Sequence, residues 1–326
     1  LAKKSKNEMA RSQIDLAVIS VLLDAGAGSS WRYKDLQTGL NFSRSEGLAI
    51  ASLRLFESGV LSQSGLDDPL RVDAASLQAL TPEILAMEFQ VSQSNQLLGL
   101  QDRAKLLNRL GESLVKKRHI FEADGAFRPG NLFDYLSRSQ LTGVLEARDI
   151  LIAILQGMGE IWPDGSWIDN VAIGDAGYHE VVKRSDITDG IVPFHKLSQW
   201  MSYSLIEPLQ EAGFKVNNLD ALTGLAEYRN GGLFIDTKAI SLKDRTQLEV
   251  VHDPKSPLVV EWRALTVVLL DKLAEKIRRR TNTNSESMPL ASILQGGTWS
   301  AGRQIAQQLR VNGSPPLLLN SRGTIF

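Results

Sequence analysis

Read for the spacing of its apolar positions, the chain is mostly helix. Ser12 to Leu23 is dense in Ile, Leu and Val, and Asp24-Ala25-Gly26-Ala27-Gly28 ends the run. Ser43-Arg44-Ser45-Glu46 has the spacing of a capping box, in which the Ser hydroxyl takes an orphan amide and the Glu reaches back. Leu48, Ala51, Leu55 and Phe56 then share a face, and Gly59 is the expected stop. Thr81-Pro82-Glu83 opens another helix with Pro at its first position. Leu106, Leu107, Leu110 and Leu114 mark a further face, and Lys116, Lys117 and Arg118 suit its C-terminal end. A long apolar helix is predicted from about Gly143 to Ile161, and another from Phe194 to Ala212 with Gly213 as its stop. The strongest pattern starts at Ser256-Pro257, runs through Trp262, Leu265, Val268, Leu269 and Leu273, and reaches the basic Lys276 to Arg280. Thr281 to Ser287 reads as a loop, and a last helix covers Ala301 to Leu309.

Strand signals are few: Leu233 to Ile235, Leu248 to Val251 and Leu317 to Leu319, each a short apolar run near turn residues. No solenoid-period repeat, low-complexity tract or long linker stands out. The expected architecture is mainly α: one large helical domain over 1–326 with a few short β-strands. Its N-terminal helical part, about 1–125, is expected to pack on about 126–326.

Composition narrows the chemistry. Hydrophobic residues make up 43% and charged residues 22% of 326, with a net charge of −1. That is an ordinary globular balance and gives no global field for a nucleic acid backbone, so nucleic acid is not the expected partner. With no cysteine, disulfides, thiolate metal sites and a Cys nucleophile are excluded. No apolar run approaches the ~20 residues of a membrane span. Leu1-Ala2-Lys3-Lys4 is basic, but no signal-peptide core follows it at once. A cytoplasmic protein is expected.

Several site classes are missing. There is no phosphate-binding loop, Trp31 stands where a dinucleotide fingerprint needs its third glycine, and no nucleophile elbow occurs. His119, His179, His195 and His252 show no metal-ligand spacing. Neither a metal nor a cofactor is expected.

Four polar patches remain. Asp24 to Tyr33 carries two glycines and the flat faces of Trp31 and Tyr33, which either meet a ligand or cover the core after a helix stop. Ser43 to Gly47 is a helix start, where Arg44 beside free amides is also able to hold an anion. In Phe194 to Ser204, helical spacing puts Lys196, Gln199 and Tyr203 on one face, either a solvated stripe or a binding face. In Gly224 to Asp236, Glu227 and Arg229 stand beside Gly231-Gly232, and the run ends on Asp236. That segment is a ligand site, or a turn with an ion pair from Glu227 or Asp236 to Arg229 or Lys238.

Five stretches together resemble the uracil-catabolism protein family of fungi and bacteria. They are Leu22 to Gly28, Ser43 to Ala49, Arg128-Pro129-Gly130-Asn131-Leu132-Phe133-Asp134-Tyr135-Leu136, Val192 to Trp200 and Glu227 to Gly232, and the likeness extends to Gly323-Thr324-Ile325-Phe326. Phe194-His195-Lys196-x-Ser198-Gln199 and Leu222-Thr223-x-x-Ala226-Glu227-Tyr228-Arg229 also resemble two motifs of the queuosine-salvage glycosylases. Those enzymes hydrolyse a base–ribose bond on a helical, DNA-glycosylase-like fold. Where that family has Asp, a basic residue after Lys, and a later helical Asp, this chain has Glu227, Leu197 and Ser204.

The resemblance implies an N-glycosidase-type hydrolase of pyrimidine degradation, releasing urea from a ribosylurea-type nucleoside or its 5′-phosphate. A carboxylate beneath the sugar stabilises the oxocarbenium-like state, and Glu227 is the expected one, with Asp236 or Asp175 as the second. Gln199 and Asn230 are expected to meet urea. Lys196, Arg229 or Arg44 would hold a phosphate, and Trp31 or Trp200 would close the pocket. A small ribosyl or phosphoribosyl molecule is the expected partner. The alternatives are a non-catalytic protein that binds a nucleotide intermediate or a partner enzyme, and a nucleic acid glycosylase or binder.

Overall fold

Ser5, not Ser12, opens the first helix. Its hydroxyl oxygen accepts the Glu8 amide at 3.3 Å, so Lys6–Leu23 forms one helix. The computed structural model describes residues 4–24, 26–28, 30–139 and 142–320. Leu1 to Lys3, Ala25 and Ser29 of the glycine-bearing patch, and Gly323 to Phe326 lie outside the described residues. The fold is mainly α, and the strands occur in short two-stranded pairs. The chain forms two compact units. Among the described residues, one draws on 4–165 and Trp200–Asn217, the other on Ser166–Gln199 and 218–320.

In the first unit, helix Lys6–Leu23 buries Ile14, Val18, Ile19 and Leu22, and with them the carboxylate of Asp15. Asp15 accepts the Val72 amide at 3.1 Å, the Gly130 amide at 2.6 Å and Arg128 Nε at 2.8 Å. One buried anion thus ties two distant loops to this helix. Helix Arg44–Glu57 buries Leu48, Ala51, Leu55 and Phe56 as predicted. The capping box does not form: Ser43 makes no side-chain cap bond, and Arg44 is left-handed at φ 54°. Thr81 does cap Pro82–Glu88, accepting the Ile84 amide at 3.3 Å. Leu100–Lys116 buries all four predicted leucines.

The long helix predicted from Gly143 begins later. Gly143 is left-handed, Val144–Glu146 is a strand paired in parallel with Lys215–Asn217, and helix starts at Ala147 and ends at Met158. Apolar residues in an extended segment merged with the helical pattern behind them, because period alone does not mark such a join.

The second unit holds two hairpins, Ser166–Ile168 with Val171–Gly174 and Ala176–Tyr178 with Ile191–Pro193. Its helical parts are the first turn of Lys196–Glu211, then Tyr228–Asp236, Pro257–Thr281, Leu290–Ile293 and Trp299–Leu309. Val259, Trp262 and Leu317 centre one core cluster, and Phe194, Ala226 and Val260 another. Leu233 to Ile235, predicted as a strand, lies inside helix Tyr228–Asp236. A three-residue apolar run is too short to reveal its period. Leu248 closes a 3-10 turn, so pairing in that region is confined to Val251–His252 against Leu318–Leu319.

No helix among the described residues is long and apolar enough to cross a membrane.

Candidate functional site

Glu227 is the N-cap of helix Tyr228–Asp236. Its Oε2 accepts the Arg229 amide at 2.8 Å and its Oε1 the Asn230 amide at 2.6 Å. Both bonds favour the ionised carboxylate, as do the nearby charges of Lys196 and Arg229. Burial opposes them and prevails: the Glu227 carboxyl is held above its ordinary value.

The helix behind it is packed closely. The Trp262 indole donates to the Gly231 carbonyl at 3.0 Å. A Cβ at Gly231 would meet Thr266 Oγ1 at 2.7 Å and Trp262 at 2.8 Å. Gly231 thus serves helix–helix contact with Pro257–Thr281, while Gly232 faces Pro316 in the segment before Leu318–Leu319.

Asp175 and Arg263 bring the two motif segments together. Arg263 Nη1 and Nη2 donate to Asp175 Oδ1 and Oδ2 at 2.8 and 2.7 Å, and both residues are buried. Arg263 Nε also donates to the Ala226 carbonyl at 3.3 Å, and its guanidinium lies 4.0 Å from the Phe194 ring centroid. Asp175 holds the other segment by its backbone. Its carbonyl accepts the Phe194 and His195 amides at 2.9 Å each, and its Oδ2 accepts the Lys196 amide at 3.0 Å. The residues just before Lys196 and just before Glu227 are therefore fastened to one buried ion pair. Burial pushes the Asp175 carboxyl up, but the charge and hydrogen bonds of Arg263, the Lys196 amide and the Lys196 charge outweigh it. The net position is below the usual value.

His195 is left-handed at φ 49°, and its Nδ1 is buried without a hydrogen-bond partner. Burial pushes the imidazole down and Arg263 adds to this, while Asp175 acts in the opposite sense. Gln199 is buried and its Oε1 accepts the Thr223 amide at 3.1 Å. Asn230 is buried, donates to the Leu225 carbonyl at 3.2 Å and leaves its Oδ1 unpaired. Lys196, Glu227 and Asp175 therefore form one charged group, with His195 beside it. Among the described residues no His, Cys, Asp and Glu side chains cluster as a metal ion needs.

Other expected site residues fall elsewhere. Asp236 is at the far end of the Glu227 helix, ~13 Å away at 1.5 Å per residue. Both its oxygens are taken by Arg310, at 2.7 and 2.6 Å. It is thus an ion-pair residue, not a second carboxylate beside Glu227. Trp31 has no exposed surface. Its indole donates to the Phe89 carbonyl at 3.0 Å and it stacks on the Phe89 ring, with Tyr33 tilted against it. Its faces and its one polar atom are spent inside the first unit, and Tyr33 is buried there too. Of the two readings of that patch, core cover is the one the packing supports. Arg44 and Trp200 are half-buried members of the first unit.

Sequence reasoning missed Arg263. The available signal was an arginine among Val259, Val260, Trp262, Thr266 and Leu270, the buried positions of its helix. A charge on such a face requires a buried partner. In the sequence His195 appears as one member of a motif and as one of four histidines without metal-ligand spacing.

Residues 1–326 match a family described as "Protein of unknown function (DUF1688)". The chain is 41% identical over 326 residues to "Protein urg3" of Schizosaccharomyces pombe, covering 98% of this chain and 76% of that protein. It is 38% identical over 347 residues to "Uracil catabolism protein 4" of Lachancea kluyveri, covering 98% of this chain and 78% of that protein. A match over the whole chain, joined by two relatives near 40% identity, establishes kinship: the chain belongs to the DUF1688 family.

Proposed function

We propose that this chain acts in uracil catabolism as an N-glycosidase-type hydrolase, cleaving the ribosyl C–N bond of a ribosylurea-type nucleoside or its 5′-phosphate. The name of the Lachancea kluyveri relative, uracil catabolism protein 4, supports the pathway. The observation that carries the chemistry is the Arg263–Asp175 pair, which fastens the Lys196 segment and the Glu227 segment to one point.

In this reading the C1′–N bond breaks and its electron pair leaves with nitrogen, which takes a proton from solvent as urea departs, and the proton that Glu227 later accepts from water returns to solvent. Positive charge develops on the sugar, where the Glu227 carboxylate opposes it. Water adds to C1′ and passes its proton to Glu227. The two bound amides still leave acceptor capacity on each Glu227 oxygen, and its raised basicity suits proton uptake. The unpaired Oδ1 of Asn230 offers an acceptor to a urea N–H, and the Gln199 amide nitrogen offers a donor.

The test is urea release from ribosylurea and its 5′-phosphate by wild type and Glu227→Gln. The variant is expected to melt within a few degrees of wild type and to lose activity by about 10²-fold or more. Undiminished turnover would remove Glu227 from the reaction. A second reading has its own observation: a carboxylate whose two oxygens already accept amides has the duty of a helix cap. In that case the protein holds a pathway intermediate without turning it over, and ligand binds to purified protein with no urea formed.

A further inference from the structure

Leu290 to Leu309 is one helical stretch with a π-turn, Leu294–Thr298, inside it. The Trp299 amide donates to the Leu294 carbonyl, five residues back instead of four. No other π-turn occurs among the described residues. Such turns kink helices and concentrate at functional sites. This one carries two costs. Thr298 is 3% exposed and its Oγ1 has no partner, whereas Thr266 and Thr281 on Pro257–Thr281 donate to the carbonyl four residues back at 2.7 and 2.9 Å. The second cost is Gly296-Gly297, since glycine weakens a helix relative to alanine. Gly111, Gly157, Gly231 and Gly302 are helical too, but a Cβ on each would collide with a neighbour. At Gly296 and Gly297 a Cβ would meet nothing within 4 Å, and neither residue has a positive φ. Packing and backbone geometry give no reason for glycine here; compliance does.

The helix after the turn is fastened at its far end. Arg310, just past Trp299–Leu309, is forked onto Asp236, the last residue of helix Tyr228–Asp236, at 2.7 and 2.6 Å. At the near end the Trp299 ring lies over the Arg229 guanidinium at 5.3 Å, and Gly302 abuts the Arg229 carbonyl. The two helices therefore run side by side in the same direction, and Trp299 covers the first turn of the helix that Glu227 caps. The cleft between them, lined by Arg229, Gly232, Gly302 and Arg310, is too tight for a water molecule. Anything that reaches that first turn from this side requires the two helices to part.

We infer that helix Trp299–Leu309 is a gate: it pivots on the Arg310–Asp236 pair, the π-turn takes up the movement, and the Trp299 end lifts from Arg229 to admit substrate beside Glu227. The movement stands on the turn, the glycines and the pivot; that substrate passes by it rests on the hydrolase reading above. A turn free of packing constraint changes its dihedrals at little cost, which is what a hinge requires.

The experiment is native-state amide exchange of the full chain by NMR, with urea release from ribosylurea as its second arm. In wild type, amides 298–303 are expected to exchange at least about tenfold faster than amides 305–308 of the same helix and amides 231–235 of its neighbour. Equal rates overturn the gate. Gly296→Ala with Gly297→Ala is expected to raise Tm by roughly 2–6 °C. It is also expected to bring amides 298–303 within about threefold of 305–308 and to slow urea release about fivefold or more. A variant less stable than wild type, or more stable with the exchange difference unchanged, overturns the gate. A closed exchange difference with undiminished urea release overturns its part in admitting substrate. If wild type releases no urea, the exchange arm decides the gate by itself while the hydrolase reading falls, so the two fail separately.

Discussion

Replacing Asp175 by Asn probes the joint on which the site is built. The substitution keeps shape and leaves an oxygen for the Lys196 amide, but it removes the charge that faces Arg263 at 2.8 and 2.7 Å. Arg263 is only 4% exposed, so its guanidinium stays in the interior without a counter-ion. Breaking a buried pair from one side costs about 3–5 kcal/mol. For a protein of this size that corresponds to a fall in Tm of roughly 6–20 °C, at about 2–4 °C per kcal/mol. Denaturant unfolding followed by tryptophan fluorescence reads the loss directly. Replacing both partners, Asp175→Leu with Arg263→Met, is expected to recover most of that stability, since a packed apolar pair needs no desolvated charge. It is also expected to lower urea release, because Lys196 and the Glu227 segment lose their common anchor. The pH dependence has a definite sign. The folded carboxyl is below its ordinary value of 3.8. Its contribution is therefore complete above about pH 4 and is lost as pH falls through the folded value. A cost below about 1 kcal/mol for Asp175→Asn, against the 3–5 expected, would refute the reasoning.

Three further outcomes follow from the geometry. Because burial lifts the Glu227 carboxyl above 4.5, turnover that needs it ionised is expected to decline on an acid limb centred above pH 4.5. The same shift adds stability as pH falls from above the folded value toward 4.5, and a limb at or below 4.5 in a pH–rate profile would contradict it. Gly302→Ala places a methyl group against the Arg229 carbonyl oxygen well inside contact distance. It is expected to cost about 1–3 kcal/mol in chemical denaturation, and a neutral result would show that the two helices separate easily. Trp31→Ala is expected to cost about 3–5 kcal/mol while leaving KM for folded protein unchanged. A raised KM with intact stability would return Trp31 to the binding surface.

The sequence revealed those elements whose pattern exceeds about two turns. Leu106, Leu107, Leu110 and Leu114 all proved buried on one helix, and Ser256-Pro257 does start the helix that reaches Thr281. Short elements did not declare themselves, because three apolar residues fit either period: Leu233 to Ile235 belongs to a helix and Val144–Glu146 to a strand. The capping box at Ser43 failed although its residue types were right, since Arg44 took a left-handed conformation that spacing does not encode. In the site, the Glu227 and Lys196 motifs were visible as composition. Their meeting was not, because it depends on Arg263, a residue 88 positions from Asp175 and hidden within an apolar helical face. Asp236 illustrates the converse: nearness along the chain to Glu227 put it at the opposite end of a helix.

The backbone and side chain of Asp175 together hold three successive amides, those of Phe194, His195 and Lys196. Between them the chain runs out along one hairpin strand and back along its partner. The intervening tip, 179–190, is largely exposed and is closed by its own bonds, such as the Arg184 amide to Asp189 and the Thr188 amide to Asp186. The placement of the lysine is consequently insulated from the length of that tip. Trimming or grafting there, provided Ala176–Tyr178 still pairs with Ile191–Pro193, offers a place to attach a label or an affinity handle without disturbing the anchored charges.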